Sequence, residues 1–148
     1  MSAIDLSRSA KISRWLITIA TVVYGFIPPI VDLTATHVFH PDWMPHARLH
    51  AVWQLATNSG LALLALYLMW AQSTNGLQRI RFAGLVGLCV YAGFFVSALT
   101  HPLFGGALAD EQGGVPTVMG LYGNVIAFTP MLILIILGLW LSRSDAAN

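Results

Sequence analysis

Residues 49–70 read LHAVWQLATNSGLALLALYLMW, and this stretch decides the fold. It contains no Asp, Glu, Lys or Arg, and as an α-helix it rises about 33 Å, enough to cross the ~30 Å hydrocarbon core of a bilayer. Three other runs share its character, at about 15–31, 82–99 and 118–141. In hydrocarbon every backbone N–H and C=O needs an internal partner, so only helices and closed barrels span it. The runs lack the two-residue alternation of a barrel strand. The expected fold is therefore all-α, an integral membrane four-helix transmembrane bundle in one domain over residues 1–148, without repeats or low-complexity linkers.

Composition points the same way. Hydrophobic residues make up 57% of the chain and charged residues 9%, against about 25% charged in a soluble domain, so little of this surface is suited to water. A net charge of +1, without a basic block interleaved with aromatics, sets nucleic-acid binding aside. The lone cysteine, Cys89, has no partner for an internal disulfide and reads as a small buried hydrophobe. Arg8, Lys11 and Arg14 resemble the basic start of a signal peptide. The apolar run behind them is too long for one, however, and no A-x-A site follows, so a retained helix is expected.

Basic residues set the orientation. Arg8, Lys11 and Arg14 precede the first run, Arg79 and Arg81 lie between the second and third, and Arg143 follows the fourth; only Arg48 falls at the other side. Both termini are thus expected on the cytoplasmic side, with Asp32, Asp42, Asp110 and Glu111 opposite. Trp15, Trp70 and Trp140 fall at the cytoplasmic interface, where indoles anchor helices. The expected location is a bacterial inner (cytoplasmic) membrane. Pro28 and Pro29 mark the outer end of the first helix, Pro45 suits the first turn of the second, Pro102, Gly105 and Gly106 end the third, and Pro130 is expected to kink the fourth.

The five histidines all map to the outer end. His37, His40, His46 and His50 run through the first outer loop into the second helix, and His101 ends the third. His46 and His50, four apart, share one helical face. Gln54, Asn58 and the adjacent Thr57 continue that face as a polar stripe. Imidazoles and amides unpaired in hydrocarbon cost several kcal/mol each, so the stripe is expected to face the bundle interior. Tyr122 and Asn124 of the fourth run, with Ser97 and Thr100 of the third, are expected at similar depth. Asp32 is placed to pair with Arg48 or to orient a histidine. The result is a polar pocket walled by apolar side chains, suited to a small, hydrophobic molecule arriving from the membrane. Asp110 and Glu111 read as solvated loop charges, and Gly84, Gly87 and Gly93 as points of close helix contact or a subunit interface.

Three readings of the histidines stay open. They form a hydrogen-bonded plug tying loop to helix ends; or His37, His40, His46, His50 and His101 supply ligands to a transition metal; or histidine performs acid–base chemistry with Asp32 or Tyr122. No H-E-x-x-H or paired-cysteine motif narrows the choice.

The segment H-A-R-L-H, from His46 to His50, opens a helix that carries an asparagine further on, and it resembles the corresponding segment of styrene oxide isomerase. The likeness covers length, helix count, the A-R-x-H step and an apolar run before A-F-T-P at 127–130. The resemblance implies a four-helix membrane isomerase that forms trimers and binds haem b through the histidine opening its second helix, the iron acting as Lewis acid on an epoxide oxygen. It makes His50 the haem ligand and Asn58 or Gln54 a pocket donor. The third helix here lacks the acidic residue of that family, and His37, His40 and His46 are additional. The longer pattern H-x-F-x-P-x-W-x-x-H-A-R-x-H also resembles a group of uncharacterised small membrane proteins.

The expected function is a membrane-embedded enzyme for a small hydrophobic substrate, in a homo-oligomer surrounded by lipid bilayer. His50 and His46 bind a haem b or transition metal, Asn58 and Tyr122 position the substrate, and Asp32 completes the catalytic set. The alternative is a non-enzymatic membrane module that binds lipid or a small molecule, or serves as an accessory subunit.

Overall fold

The computed structural model describes residues 6–109 and 115–144; Asp110, Glu111, Gly113 and Gly114 lie outside them. Four helices carry the described residues, α1 Arg8–Asp32, α2 Pro45–Trp70, α3 Gly76–Thr100 and α4 Gly123–Ser144. All four are long and apolar enough to cross a membrane.

Local chemistry explains the boundaries. Ser7 caps α1, its hydroxyl accepting from Ala10 N at 3.1 Å. Pro45 opens α2 at a position where its missing N–H has no helical partner to lose. After α3, the 3-10 turn His101–Phe104 is closed by Gly105 in the left-handed region, φ 69°, and by the bond from Gly106 N to His101 O. Each of the first three helices starts earlier than its apolar run, so Arg8, Lys11, Arg14, Arg79 and Arg81 stand on helices rather than in loops. Polar first turns are still helical; they only fall outside the hydrophobic span.

The fourth helix starts later than expected. Residues 117–122 form a hairpin, β1 Thr117–Val118 against β2 Leu121–Tyr122, with Thr117 facing Tyr122 across it. Met119 (φ 52°) and Gly120 (φ 80°) make the turn. Two successive positive φ values match a type I′ turn and exclude a right-handed helix there. Apolar composition alone does not separate V-M-G-L-Y from a helix start. Past the hairpin, α4 runs through Pro130 without a break.

The helices alternate in direction. Trp70, ending α2, reaches back to Thr18 near the start of α1, and Arg81 near the start of α3 donates to Ser142 O near the end of α4. One end of the bundle therefore gathers Arg8, Lys11, Arg14, Arg79, Arg81 and Arg143, and the other gathers the histidines. We refer to them as the basic end and the histidine end.

Helix α1 is the hub. A hydrogen bond of 2.7 Å ties it to each neighbour: Ser59 Oγ of α2 to Gly25 O, Tyr91 Oη of α3 to Ala20 O, and Ser13 Oγ of α1 itself to Gly138 O of α4, besides the bond from Trp70 of α2 to Thr18. Small residues permit this approach. A methyl group placed on Gly25 would overlap the Ala62 Cβ, and one on Gly138 or Gly84 would run into Ile17. Around these contacts sits the core of Ile17, Ala20, Tyr24, Ala62, Ala65, Met69, Ile80, Ala83, Tyr91 and Ile135. Gly84 and Gly87 are close-contact positions as expected, whereas Gly93 faces open space. Cys89, expected buried, is exposed on the protomer. The outside carries Leu63, Leu64, Phe82, Ile133 and Ile136, an apolar surface too extensive for a water-soluble monomer.

Candidate functional site at the histidine end

The inner face of α2 is defined by Leu55, Ala62, Ala65 and Met69, all buried. At 100° per residue, His46, His50, Trp53 and Thr57 lie about 140–200° around the helix from Leu55. They are accordingly exposed on the protomer. This corrects the expectation of an inward stripe for His46, His50, Gln54 and Thr57, while Asn58 is half-buried. Helix approach selects the face with the smallest side chains, so Ala62 against Gly25 turns the imidazoles outward.

The polar groups pair along the helix, the histidines on this outer face and Gln54 and Asn58 about 100° and 60° from Leu55, toward the inner side. His50 Nε2 lies 3.0 Å from His46 Nε2, and one turn further Gln54 Nε2 donates to Asn58 Oδ1 at 3.2 Å. Trp53, three residues after His50, stacks on its ring with centroids 6.0 Å apart and planes 26° from parallel. Trp53 is absent from the expected site; its i, i+3 relation to His50 is the signal that points to it. His50, Ala51, Trp53, Gln54 and Thr57 line an open groove of ≈ 550 Å³.

The separation of the two imidazole nitrogens has chemical meaning. A neutral pair meets it by sharing one proton. Two nitrogens each ~2.0–2.1 Å from one metal, at an angle of about 90–110°, lie about 2.9–3.4 Å apart. The spacing would suit both nitrogens to one ion, and His50 Nε2 would be the donor to a haem iron. Among the described residues no group of three or more His, Cys, Asp or Glu is arranged to hold a metal. The five histidines do not come together as one ligand set; only His46 and His50 meet.

The other histidines are held elsewhere. His40 is buried; its Nδ1 accepts from Asp42 N at 3.2 Å, and its carbonyl accepts from Arg48 at 2.7 Å. Arg48 also reaches Pro41 O, so it braces the loop and does not pair with Asp32. Asp32 instead faces His37, with 4.0 Å between its Oδ1 and the ring Nε2, and Thr36 Oγ1 meets the other ring nitrogen at 3.0 Å. For His37, His40 and Arg48 the plug reading describes the geometry. His101 Nδ1 is 2.8 Å from Ala98 O, an acceptor, so that nitrogen carries the proton and Nε2 keeps its lone pair. His101 lines a separate, smaller pocket with Phe94, Ser97, Leu108 and Asn124.

The residues expected to position a substrate are dispersed. Asn58 is half-buried, eight residues below His50 and so about 12 Å along the axis. Gln54, at about 6 Å, is better placed as the donor nearest the imidazole pair. Tyr122 belongs to the hairpin rather than to a helix. Asn124 binds the preceding loop, donating to Leu108 O at 2.9 Å and accepting from Val125 N. Thr100 is bonded within its own helix, to Val96 O.

No curated protein and no solved structure matches the chain. Residues 16–147 match a family of unknown function, DUF6640; that span takes in all but the first turns of the bundle, the histidine stretch included, and the protein belongs to this family.

Proposed function

We propose that the protein spans a cytoplasmic membrane as an up-and-down bundle with both termini inside. In this reading it is an enzyme for a small hydrophobic molecule, working at a histidine-held metal or haem at the outer end of α2. One observation carries it: two imidazole nitrogens 3.0 Å apart at the head of an open groove into which His50, Gln54 and Thr57 bring polar groups, on a helix otherwise suited to lipid. The resemblance of the His46–His50 segment to styrene oxide isomerase supports the isomerase version. The gathering of Arg8, Lys11, Arg14, Arg79, Arg81 and Arg143 at one end supports the orientation.

The bound group would supply Lewis acidity toward a substrate oxygen. The chain itself does the rest. His50, its ring held by Trp53, presents Nε2, and His46 adds a second donor or accepts the shared proton. Gln54 and Thr57 line the groove below and offer hydrogen bonds to the substrate's polar group, while Trp53 and Ala51 contact its apolar part.

The groove lies on the outside of one protomer. A polar group facing hydrocarbon without a partner costs about 2–7 kcal/mol, so a second copy of the chain covers this face and the working unit is a homo-oligomer.

The test is absorption and metal content of the full chain, purified in mild detergent after growth with haem precursor, iron, zinc and copper. A Soret band or a stoichiometric metal is expected, lost in His50→Ala and weakened in His46→Ala. Gln54→Leu is expected to keep the cofactor. If wild-type protein carries neither haem nor metal, the Lewis-acid reading fails and a non-enzymatic membrane module takes its place.

A further inference from the structure

The basic end holds a second constellation, unconnected with the histidines. Tyr67 and Trp70 are three residues apart on α2 and so adjacent on its surface; they are 66% and 41% exposed. Arg14, from α1, lays its guanidinium 4.2 Å from the centre of the Trp70 ring, and Arg79, from α3, approaches the Tyr67 ring to 5.6 Å. Trp15 packs edge-on against Trp70 at 4.8 Å, and Trp70 Nε1 donates to Thr18 Oγ1, which fixes the indole.

A guanidinium resting over a ring face gains from the ring quadrupole while its N–H groups, lying in its own plane, stay available. Arg14 Nε itself is buried and without a hydrogen-bond partner among the described residues, so a headgroup would be met by the terminal N–H groups of its fork. Among the described residues the acidic side chains, Asp32 and Asp42, are both at the histidine end. Two planar forks from different helices, each held over an aromatic ring, are the donor arrangement that phosphate oxygens accept bidentately. Below the rings, Leu63 and Leu64, one turn back along α2, are exposed and apolar. A headgroup phosphate beside the arginines would leave its acyl chains along these leucines, with Tyr67, Trp15 and Trp70 at interface depth.

We propose that Arg14, Arg79, Tyr67 and Trp70 form a binding site for the phosphate of an anionic phospholipid in the leaflet at the basic end. The proposal rests on membrane insertion and not on any cofactor.

The experiment is native mass spectrometry of the full chain released from nanodiscs of phosphatidylcholine mixed with phosphatidylglycerol or cardiolipin. Wild-type protein is expected to retain the anionic lipids in preference to phosphatidylcholine. Retention should fall roughly 5-fold for Arg14→Gln or Arg79→Gln and about 30-fold for both, while Arg143→Gln, a charge at the same end without a ring contact among the described residues, should lower it clearly less; an equal loss would mean general surface charge and overturn the site. If the double glutamine variant does not fold, Arg14→Lys with Arg79→Lys keeps the charge but loses the forks, and a several-fold loss is expected. Equal retention of phosphatidylcholine and anionic lipid by wild type overturns the proposal without any variant. Displacement of the lipid by millimolar inorganic phosphate also overturns it, by assigning the site to a free anion. Failure of the chain to enter nanodiscs at all would instead defeat the membrane reading.

Discussion

Replacing Gly25 by alanine tests the contact that decides which side of α2 faces outward. The added methyl would overlap the Cβ of Ala62. Neither group has a torsion that moves it aside, because each is attached directly to helix backbone. The two helices must separate or slide, straining the bond from Ser59 Oγ to Gly25 O at 2.7 Å. Overpacking of this kind costs about 1–3 kcal/mol. Against it stands the gain of about 0.8–1.0 kcal/mol that alanine brings over glycine within a helix. The net expectation for Gly25→Ala is a loss of ~0–2 kcal/mol. Gly93→Ala is the matched comparison, since a methyl there meets nothing within the protomer. It keeps the propensity gain without the clash, so the same substitution should stabilise. The two variants are expected to differ by about 1–3 kcal/mol, or roughly 5- to 150-fold in the unfolding equilibrium. Reversible unfolding in mixed micelles, followed by far-UV circular dichroism, measures the difference. If Gly25→Ala proves as stable as Gly93→Ala, α1 and α2 do not meet at this point and the outward placement of His46 and His50 falls with it.

Other outcomes follow from particular bonds. Tyr91→Phe deletes the buried hydroxyl that donates to Ala20 O while keeping the ring. A loss of ~0.6–1.7 kcal/mol is expected in the same unfolding assay, and no change would mean that the bond is not made. Arg48→Gln removes a charged donor from the carbonyls of His40 and Pro41, an interaction of about 1.5–3 kcal/mol. Hydrogen exchange should then speed up in the loop at 37–43 with the helices unaffected; faster exchange throughout would mark Arg48 as a core residue instead. Gln54→Leu together with Asn58→Leu replaces the lower polar pair of the α2 stripe by lipid-compatible side chains. If a second copy covers this face, cross-linking in membranes should show fewer oligomers with the monomer still folded, and an unchanged oligomer would place the interface elsewhere.

The sequence determined the four helices and their relative direction. Long runs without charge leave few options in an apolar solvent, and the confinement of six basic residues to alternate ends sets the up-and-down order. It also determined that His46 and His50 meet, because i, i+4 spacing fixes that contact within a single helix whatever the helix packs against. The later start of α4 was harder to read, since a hairpin built from Val118, Met119, Leu121 and Tyr122 is as apolar as a helical turn; only the positive φ at Met119 and Gly120 separates them. What the tertiary structure alone decided is the direction in which the histidine face points. A rule that polar groups turn inward assumes that the bundle interior is where they find their partners. Packing obeys a different requirement, the closest approach of backbones, and Gly25 against Ala62 satisfies it with His50 on the far side of α2. The parting of His101 from that pair has the same origin. Residues on different helices meet only where the packing of those helices brings them, and no spacing within the chain encodes that distance.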